Sequence, residues 1–219
     1  MGKSVAIVET SFVSYEVLKA LCAEIMPDVT VTQIVDESLI REVNANGAPT
    51  EGVRRRMYSY YQQAESLGVD AIFNQCSSVG EVADSLRSFV DVPVVKIDEA
   101  MARKAVSLGK KIAMIATVAS TVGPSSRLIE SAAKEAGKAI ELDVRLVKGA
   151  MMVLIEEGNV EKHNQMVLGE IEAAAKENDV IVLAQGSMVV LLPYLSHIDK
   201  PVLSSPRLGV EYLKEVIGA

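Results

Sequence analysis

The sequence predicts an α/β protein made of two similar halves, each an open parallel sheet flanked by helices. Three observations predict it. Short apolar runs alternate with longer amphipathic ones along all 219 residues, the pattern of strands joined by right-handed helical crossovers. Aromatic residues make up only 4% and Trp is absent, so the core rests on Val, Ile, Leu, Ala and Met, a mix suited to short strands covered on both faces. A stretch beginning at Asp70 returns at Asp179, the mark of an internal repeat.

The elements follow in order. Ser4 to Val8 reads as a strand. Tyr15 to Met26 reads as a helix, with Val17, Leu18, Leu21, Cys22 and Ile25 at helical spacing and Pro27 beyond its end. Val29 to Ile34 is the next strand, and Thr50 to Leu67 a helix stopped by Gly68. Ala71 to Asn74 is a strand, followed by a helix from about Val79 to Phe89. Pro93 to Ile97 is a strand, and a helix runs from there to Leu108. Lys111 to Ala116 starts the series again. A helix over Ser125 to Ala136 follows, then a strand from Ile140 to Leu146 and a long helix from Glu161 to Glu177. Val180 to Ala184 is a strand with a helix after Ser187. The tail gives a strand at Val202-Leu203 and a helix from Pro206 to Ile217.

The repeat sets Asp70-Ala-Ile-Phe-Asn-Gln-Cys76-Ser77-Ser78 beside Asp179-Val-Ile-Val-Leu-Ala-Gln185-Gly186-Ser187. Cys76 falls opposite Gln185. Pro93 and Pro201 follow the two turns at nearly the same distance, and Val5 to Thr10 matches Ile112 to Thr117. The expected halves are residues 1–98 with 201–219, and residues 99–200. A cleft between two such open sheets suits a small ligand.

Composition narrows the partners. The net charge is −7 with no block of Lys and Arg, so the electrostatic footprint of nucleic-acid binding is missing. No apolar run approaches the roughly 18 residues that span a bilayer. The N-terminus runs straight into a strand pattern without an export leader, which makes the cytoplasm the expected compartment. Cys22 and Cys76 form no disulfide framework and have no zinc-ligand spacing around them. No metal and no organic cofactor is implied, and neither phosphate-binding glycine motif is present.

Four polar turns stand at the carboxyl ends of strands. They are Thr10-Ser11, Asn74 to Ser78, Thr117 to Thr121, and Gln185-Gly186-Ser187. A helix after each would present free N–H groups to an anion such as a carboxylate. Capping explains any single Ser or Thr equally well; the matched pairs favour a ligand site. Cys76 follows a buried strand and opens a helix, a setting that lowers a thiol's pKa. Cys22 lies on an apolar helix face and reads as core. His163 and His197 read as surface residues. Arg54-Arg55-Arg56 with Tyr58, Tyr60 and Tyr61 reads as a solvated helix face or a subunit contact. Asp36-Glu37 and Asp98-Glu99 either line the cleft or start helices. Met151-Met152 reads as core.

Asn74-Gln-Cys76-Ser-Ser78, Ala116-Thr117-x-x-x-Thr121 and Val180-Ile-Val-Leu-Ala-Gln185-Gly-Ser-Met188 together resemble the aspartate/glutamate/hydantoin racemase superfamily over essentially the whole chain. The resemblance implies two Rossmann-like halves with a carboxylate ligand between them, and cofactor-independent proton transfer at the carbon next to that carboxylate. It implies that Cys76 is the acid/base, and that Thr10, Ser11, Asn74, Ser77, Ser78, Thr117, Thr121, Gln185, Gly186 and Ser187 bind substrate. A homo-oligomer is expected by the same analogy.

The chain departs from that pattern at one position. Racemases of the superfamily use two cysteines, one on each face of the substrate, and the second would fall at Gln185. An amide does no acid–base work near neutral pH, but it can donate a hydrogen bond to a carboxylate or a developing enolate. Several readings stay open: proton transfer on one face by Cys76 alone, racemisation with another group in place of the second thiol, single-cysteine decarboxylation, cis–trans isomerisation or lysis of a small dicarboxylate, and carboxylate binding without catalysis.

Overall fold

A computed structural model describes residues 2–219; Met1, which opens the N-terminal pattern, lies outside the described residues. The chain divides into two compact units, one of residues up to 100 together with 206–219, the other of residues 101–205.

In the first unit β1 (Ser4–Glu9) leads through a 3-10 turn at Phe12–Ser14 into α1 (Tyr15–Ile25). Then come β2 (Thr30–Val35), α2 (Glu37–Asn46), α3 (Glu51–Ser66), β3 (Ala71–Asn74), α4 (Gly80–Leu86) and β4 (Val94–Lys96). Short 3-10 segments at Ser77–Val79 and Arg87–Phe89 flank α4. The sheet is parallel throughout, in the order β2-β1-β3-β4. Alternation along β1 divides its side chains between two cores. Ala6 and Val8 pack with Leu39, Val53, Met57 and Tyr61 of α2 and α3, while Val5 and Ile7 pack with Leu18, Cys22, Val210 and Leu213.

α5 (Glu99–Leu108) carries the chain into the second unit. There β5 (Lys111–Ala116), α6 (Ala119–Glu135), β6 (Glu141–Leu146), α7 (Ala150–Glu156), α8 (Val160–Ala175), β7 (Val180–Leu183) and β8 (Val202–Ser204) repeat the plan. Its strands are again parallel, in the corresponding order β6-β5-β7-β8. α9 (Ser205–Ile217) completes the first unit. Glycine at 209 lets it come close: a Cβ there would stand 2.5 Å from the Ile97 carbonyl oxygen.

The residues that define the repeat do the same structural work twice. Asp70 accepts the Ser4 N–H at 2.8 Å, and Asp179 accepts those of Lys110 and Lys111 at 3.0 and 2.9 Å. Each carboxylate therefore ties the starts of the two central strands of its sheet together, β3 to β1 and β7 to β5. The carbonyls of Pro93 and Pro201 each accept the N–H of the facing strand, from Ile72 and Ile181, both at 2.9 Å.

Several local expectations need correction. The sequence reading passed over two helices. α2 is capped by Asp36, which accepts the Ser38 N–H at 2.8 Å, and ends at Gly47 in the left-handed region with φ 73°. α7 begins after Gly149 at φ 82° and leaves Met152 exposed rather than in the core. α6 starts six residues ahead of the expected Ser125 and takes in Pro124 as its sixth residue, past the first turn where a missing N–H costs little. The expected helix over Val79 to Phe89 is α4 between two 3-10 turns. The segment after Ser187 is a 3-10 stretch from Gly186 to Tyr194, with Pro193 inside it. The Arg and Tyr cluster on α3 is solvated only in part, at Arg54 and Arg55. Tyr61 is fully buried, Tyr60 donates to Asp36 at 2.8 Å, and Arg56 reaches Glu42 at 2.5 Å.

Candidate active site

In the first unit the chain leaves β3 at Asn74 and turns at Cys76. The turn is held from behind by a chain of hydrogen bonds. Tyr61 donates its hydroxyl to Asn74 Oδ1 at 3.3 Å, and Asn74 Nδ2 donates to the Cys76 carbonyl at 3.0 Å. Asn74 is almost wholly buried, and both ends of its amide are engaged in fixing the Cys76 backbone.

Cys76 itself is half-buried and packs against the core beneath α3 and α4. Burial pushes its thiol pKa above the ordinary value; hydrogen bonding from Thr10 and from Ser78 and Val79 pulls in the opposite direction without overcoming it. This reverses the expectation of a lowered pKa. The segment that follows is a three-residue 3-10 turn, Ser77–Val79, too short to build the aligned peptide dipoles of a helix. Cys76 is therefore a thiol at rest, with donors placed to favour the thiolate once it forms.

Thr10 is buried and Ser11 half-buried, at the end of β1. Ser11 makes no capping bond to the three-residue turn that follows it. Ser77 is half-buried and Ser78 buried. In the first unit each polar turn passes through a three-residue 3-10 turn before its α-helix begins.

The second unit repeats the corner with different chemistry. Gln185 has nearly the backbone of Cys76, with φ −116° and ψ 133° against −109° and 119°. Its Oε1 accepts the Thr117 N–H at 3.0 Å and the Thr117 hydroxyl at 3.4 Å. That fixes the amide's orientation, and Nε2 is left buried without a partner. Thr121 is buried in the first turn of α6, where its N–H donates to the Val118 carbonyl at 3.2 Å. Gly186 is half-buried and Ser187 exposed, at the head of the 3-10 stretch.

Two buried carboxyl groups carry chemistry that sequence reasoning passed over or left open. Glu9 ends β1, fully buried, and accepts from Gln33 Nε2 at 2.7 Å. Burial raises its pKa to about 7, against the lowering effect of that hydrogen bond. Its place as an acidic residue at the end of an apolar strand is a signal the sequence carried. Asp98, just past β4, is 4% exposed, and its Oδ1 has no hydrogen-bond partner. Burial raises its pKa, opposed by the Ser77 hydroxyl and the Lys96 charge. Asp36 and Glu99 are otherwise engaged, the first as a helix cap and the second with Arg87. Cys22 is core, its thiol pushed up to about 11 by burial and the nearby Glu9. His163 is half-buried beside Asn164 at 3.0 Å, and the exposed His197 lies 3.2 Å from Glu172. Among the described residues no three His, Cys, Asp or Glu side chains gather as metal ligands, and no helix is long and apolar enough to cross a membrane.

The fold is shared with solved racemases. The structure is similar to an aspartate racemase from Picrophilus torridus, with 16% identity, 99% of this chain and 95% of that one covered, and a TM-score of 0.76. It is similar to an allantoin racemase from Klebsiella pneumoniae at 16% identity, with 99% and 88% covered and a TM-score of 0.70. A glutamate racemase from Francisella tularensis, solved in complex with D-glutamate, matches at 14% identity, with 99% and 81% covered and a TM-score of 0.71. No curated protein matches the sequence. The profile of the Asp/Glu/Hydantoin racemase family matches residues 5–213, nearly the whole length, and the chain therefore belongs to that family of racemase-type isomerases.

Proposed function

We propose that the protein transfers a proton at the carbon next to the carboxylate of a small substrate, without a cofactor, and that Cys76 is the acid/base. The observation that carries this is the Cys76 corner. A thiol kept protonated by burial stands among two hydroxyls, of Thr10 and Ser78, and two N–H groups that favour its thiolate. Such a group can give up a proton in one direction of the reaction and take one back in the other.

The Gln185 amide serves as a hydrogen-bond donor to the substrate. Its oxygen is committed to Thr117 and its Nε2 is open, so it can meet a carboxylate or enolate oxygen without reorganising. With an amide at position 185, this reading assigns the proton exchange to Cys76 alone. Thr10, Ser77 and Ser78 complete the thiol's surroundings, and Thr117 sets the amide.

The test is proton exchange in D2O over a panel of amino acids, hydantoins and substituted malonates, followed by proton NMR, with Cys76→Ala alongside. Exchange that disappears in the variant supports the reading, and retained optical purity supports one-face chemistry. Exchange undiminished in Cys76→Ala overturns it. Thermal stabilisation by panel members that never exchange would mark a carboxylate-binding protein instead.

A further inference from the structure

We propose that Asp98 is held as a neutral carboxylic acid beside Cys76 and donates its proton in a hydrogen bond to the substrate oxygen on which negative charge develops. The proposal deepens the function proposed above and rests on it. Asp98 would be a second proton-bearing group at this site, one that donates a hydrogen bond without transferring its proton.

Placement comes first. Lys96 of β4 is the register partner of Asn74 of β3, and the ladder continues with Ile97 N–H donating to the Asn74 carbonyl at 3.0 Å. Asp98 thus stands level with the residues just after Asn74, where Cys76 turns. Lys96 points to the α4 side of the sheet, where its Nζ reaches Asp84 at 2.7 Å, and Asp98 follows two residues on, in the turn between β4 and α5. Asn74 faces that side too, through Tyr61 of α3, and Cys76 packs on the same core. The Ser77 hydroxyl, one residue from Cys76, is the first of the groups that bear on the Asp98 carboxyl.

The surroundings then decide the protonation state. Asp98 is 4% exposed and its Oδ1 has no partner. The charged groups around it are engaged elsewhere: Lys96 with Asp84, and Glu99 with Arg87, which also lies 3.6 Å from Asp84. The neighbouring Cys76 thiol is neutral at rest. An ionised carboxylate with one uncompensated buried oxygen is costly, and protonation removes the cost. The direction of the Asp98 pKa agrees, raised chiefly by burial.

A neutral acid in this position has a specific use. The Cys76 thiol first releases its proton to water; the thiolate then removes the α-proton, so that the C–H bond breaks, an S–H bond forms, and the electron pair moves onto the substrate carboxylate. That group then carries two negative charges. A neutral O–H donor stabilises it more than it stabilises the ground state, whereas an ionised Asp98 would repel it. The proton stays on Asp98 throughout, so the reverse step restores the starting atoms.

The experiment pairs infrared spectroscopy with kinetics on Asp98→Asn and Asp98→Ala. At neutral pH the unaltered protein should show a protonated-carboxyl carbonyl band that is absent in Asp98→Asn, with Glu9→Gln run to identify the band from Glu9. Asp98→Asn keeps an N–H donor and should retain much of the exchange rate, without the alkaline fall caused by Asp98 ionisation. Asp98→Ala should lose roughly 10²-fold or more in kcat with little change in KM. Identical infrared spectra for unaltered protein and Asp98→Asn would overturn the proposal without any substrate. So would an unchanged kcat and pH profile in Asp98→Ala while Cys76→Ala abolishes exchange. Exchange that survives in Cys76→Ala would instead strike the parent reading.

Discussion

The Thr117 backbone N–H donates to Gln185 Oε1 at 3.0 Å, and the same corner of the first sheet sets Thr10 against Cys76. The two halves keep one scaffold, a threonine ending the central strand and a polar residue turning off its neighbour. They differ in the group that threonine holds, a titrating thiol in one and an amide that cannot titrate in the other.

That relationship makes the amide's donor role measurable. Gln185→Glu keeps an oxygen for Thr117 but removes the Nε2 donor. Gln185→Leu removes both. Each should lower kcat for proton exchange by roughly 10²–10³. Thr117→Val keeps the backbone N–H and loses only the 3.4 Å hydroxyl contact, so its kcat should stay within about threefold of the unaltered enzyme. Steady-state exchange rates from NMR check all three.

Thiol chemistry should separate the two cysteines. Iodoacetamide should label Cys76 slowly at pH 7 and faster as pH rises, because burial keeps the thiol protonated. Cys22, 2% exposed in the core, should stay unlabelled until the protein unfolds. Thr10→Val removes a group that favours the thiolate and should slow labelling further. Intact-protein mass spectrometry, with Cys76→Ala as control, reads each rate.

Glu9 makes stability depend on pH. Its pKa is raised from 4.5 to about 7 in the folded protein. Between those values the native state holds a proton that the unfolded chain has released. The stabilisation is therefore full below about pH 4.5 and is lost as pH rises through about 7. The shift corresponds to about 3 kcal/mol. Glu9→Gln should flatten this dependence, which urea unfolding midpoints of both proteins at pH 5 and pH 8 would reveal.

Gly209→Ala should destabilise the first unit by roughly 1–3 kcal/mol, since its Cβ would press on the Ile97 carbonyl. Differential scanning calorimetry should show the transition temperature lowered.

Much of this was legible from residues alone. The doubled Asp70 and Asp179 marked the two sheets, because the same backbone ties recur in both. Cys76 stood out because a thiol in a polar turn is unlike one on an apolar helix face. The lowered thiol pKa was not correctly read, since sequence does not distinguish a 3-10 turn from a helix start, and burial then dominates. Tyr61 was taken for surface because Arg54 to Arg56 precede it, although it stands four residues from Met57 on the same buried stripe. Glu9 is not legible as a buried acid, and the sequence leaves Asp98 between lining the cleft and starting a helix. An acid at a strand end reads as solvated until the helices above it are placed.

The placement of α9 bears on how the molecule is made. Val210, Leu213 and Ile217 fill the core beneath β1, β3 and β4, yet they leave the ribosome after the whole of the second unit. During synthesis the second unit has all its residues first and can complete its core while the older half is still waiting. Until α9 emerges, the sheet face that α1 covers only in part stays open beside it, for as long as translation of residues 101–205 takes.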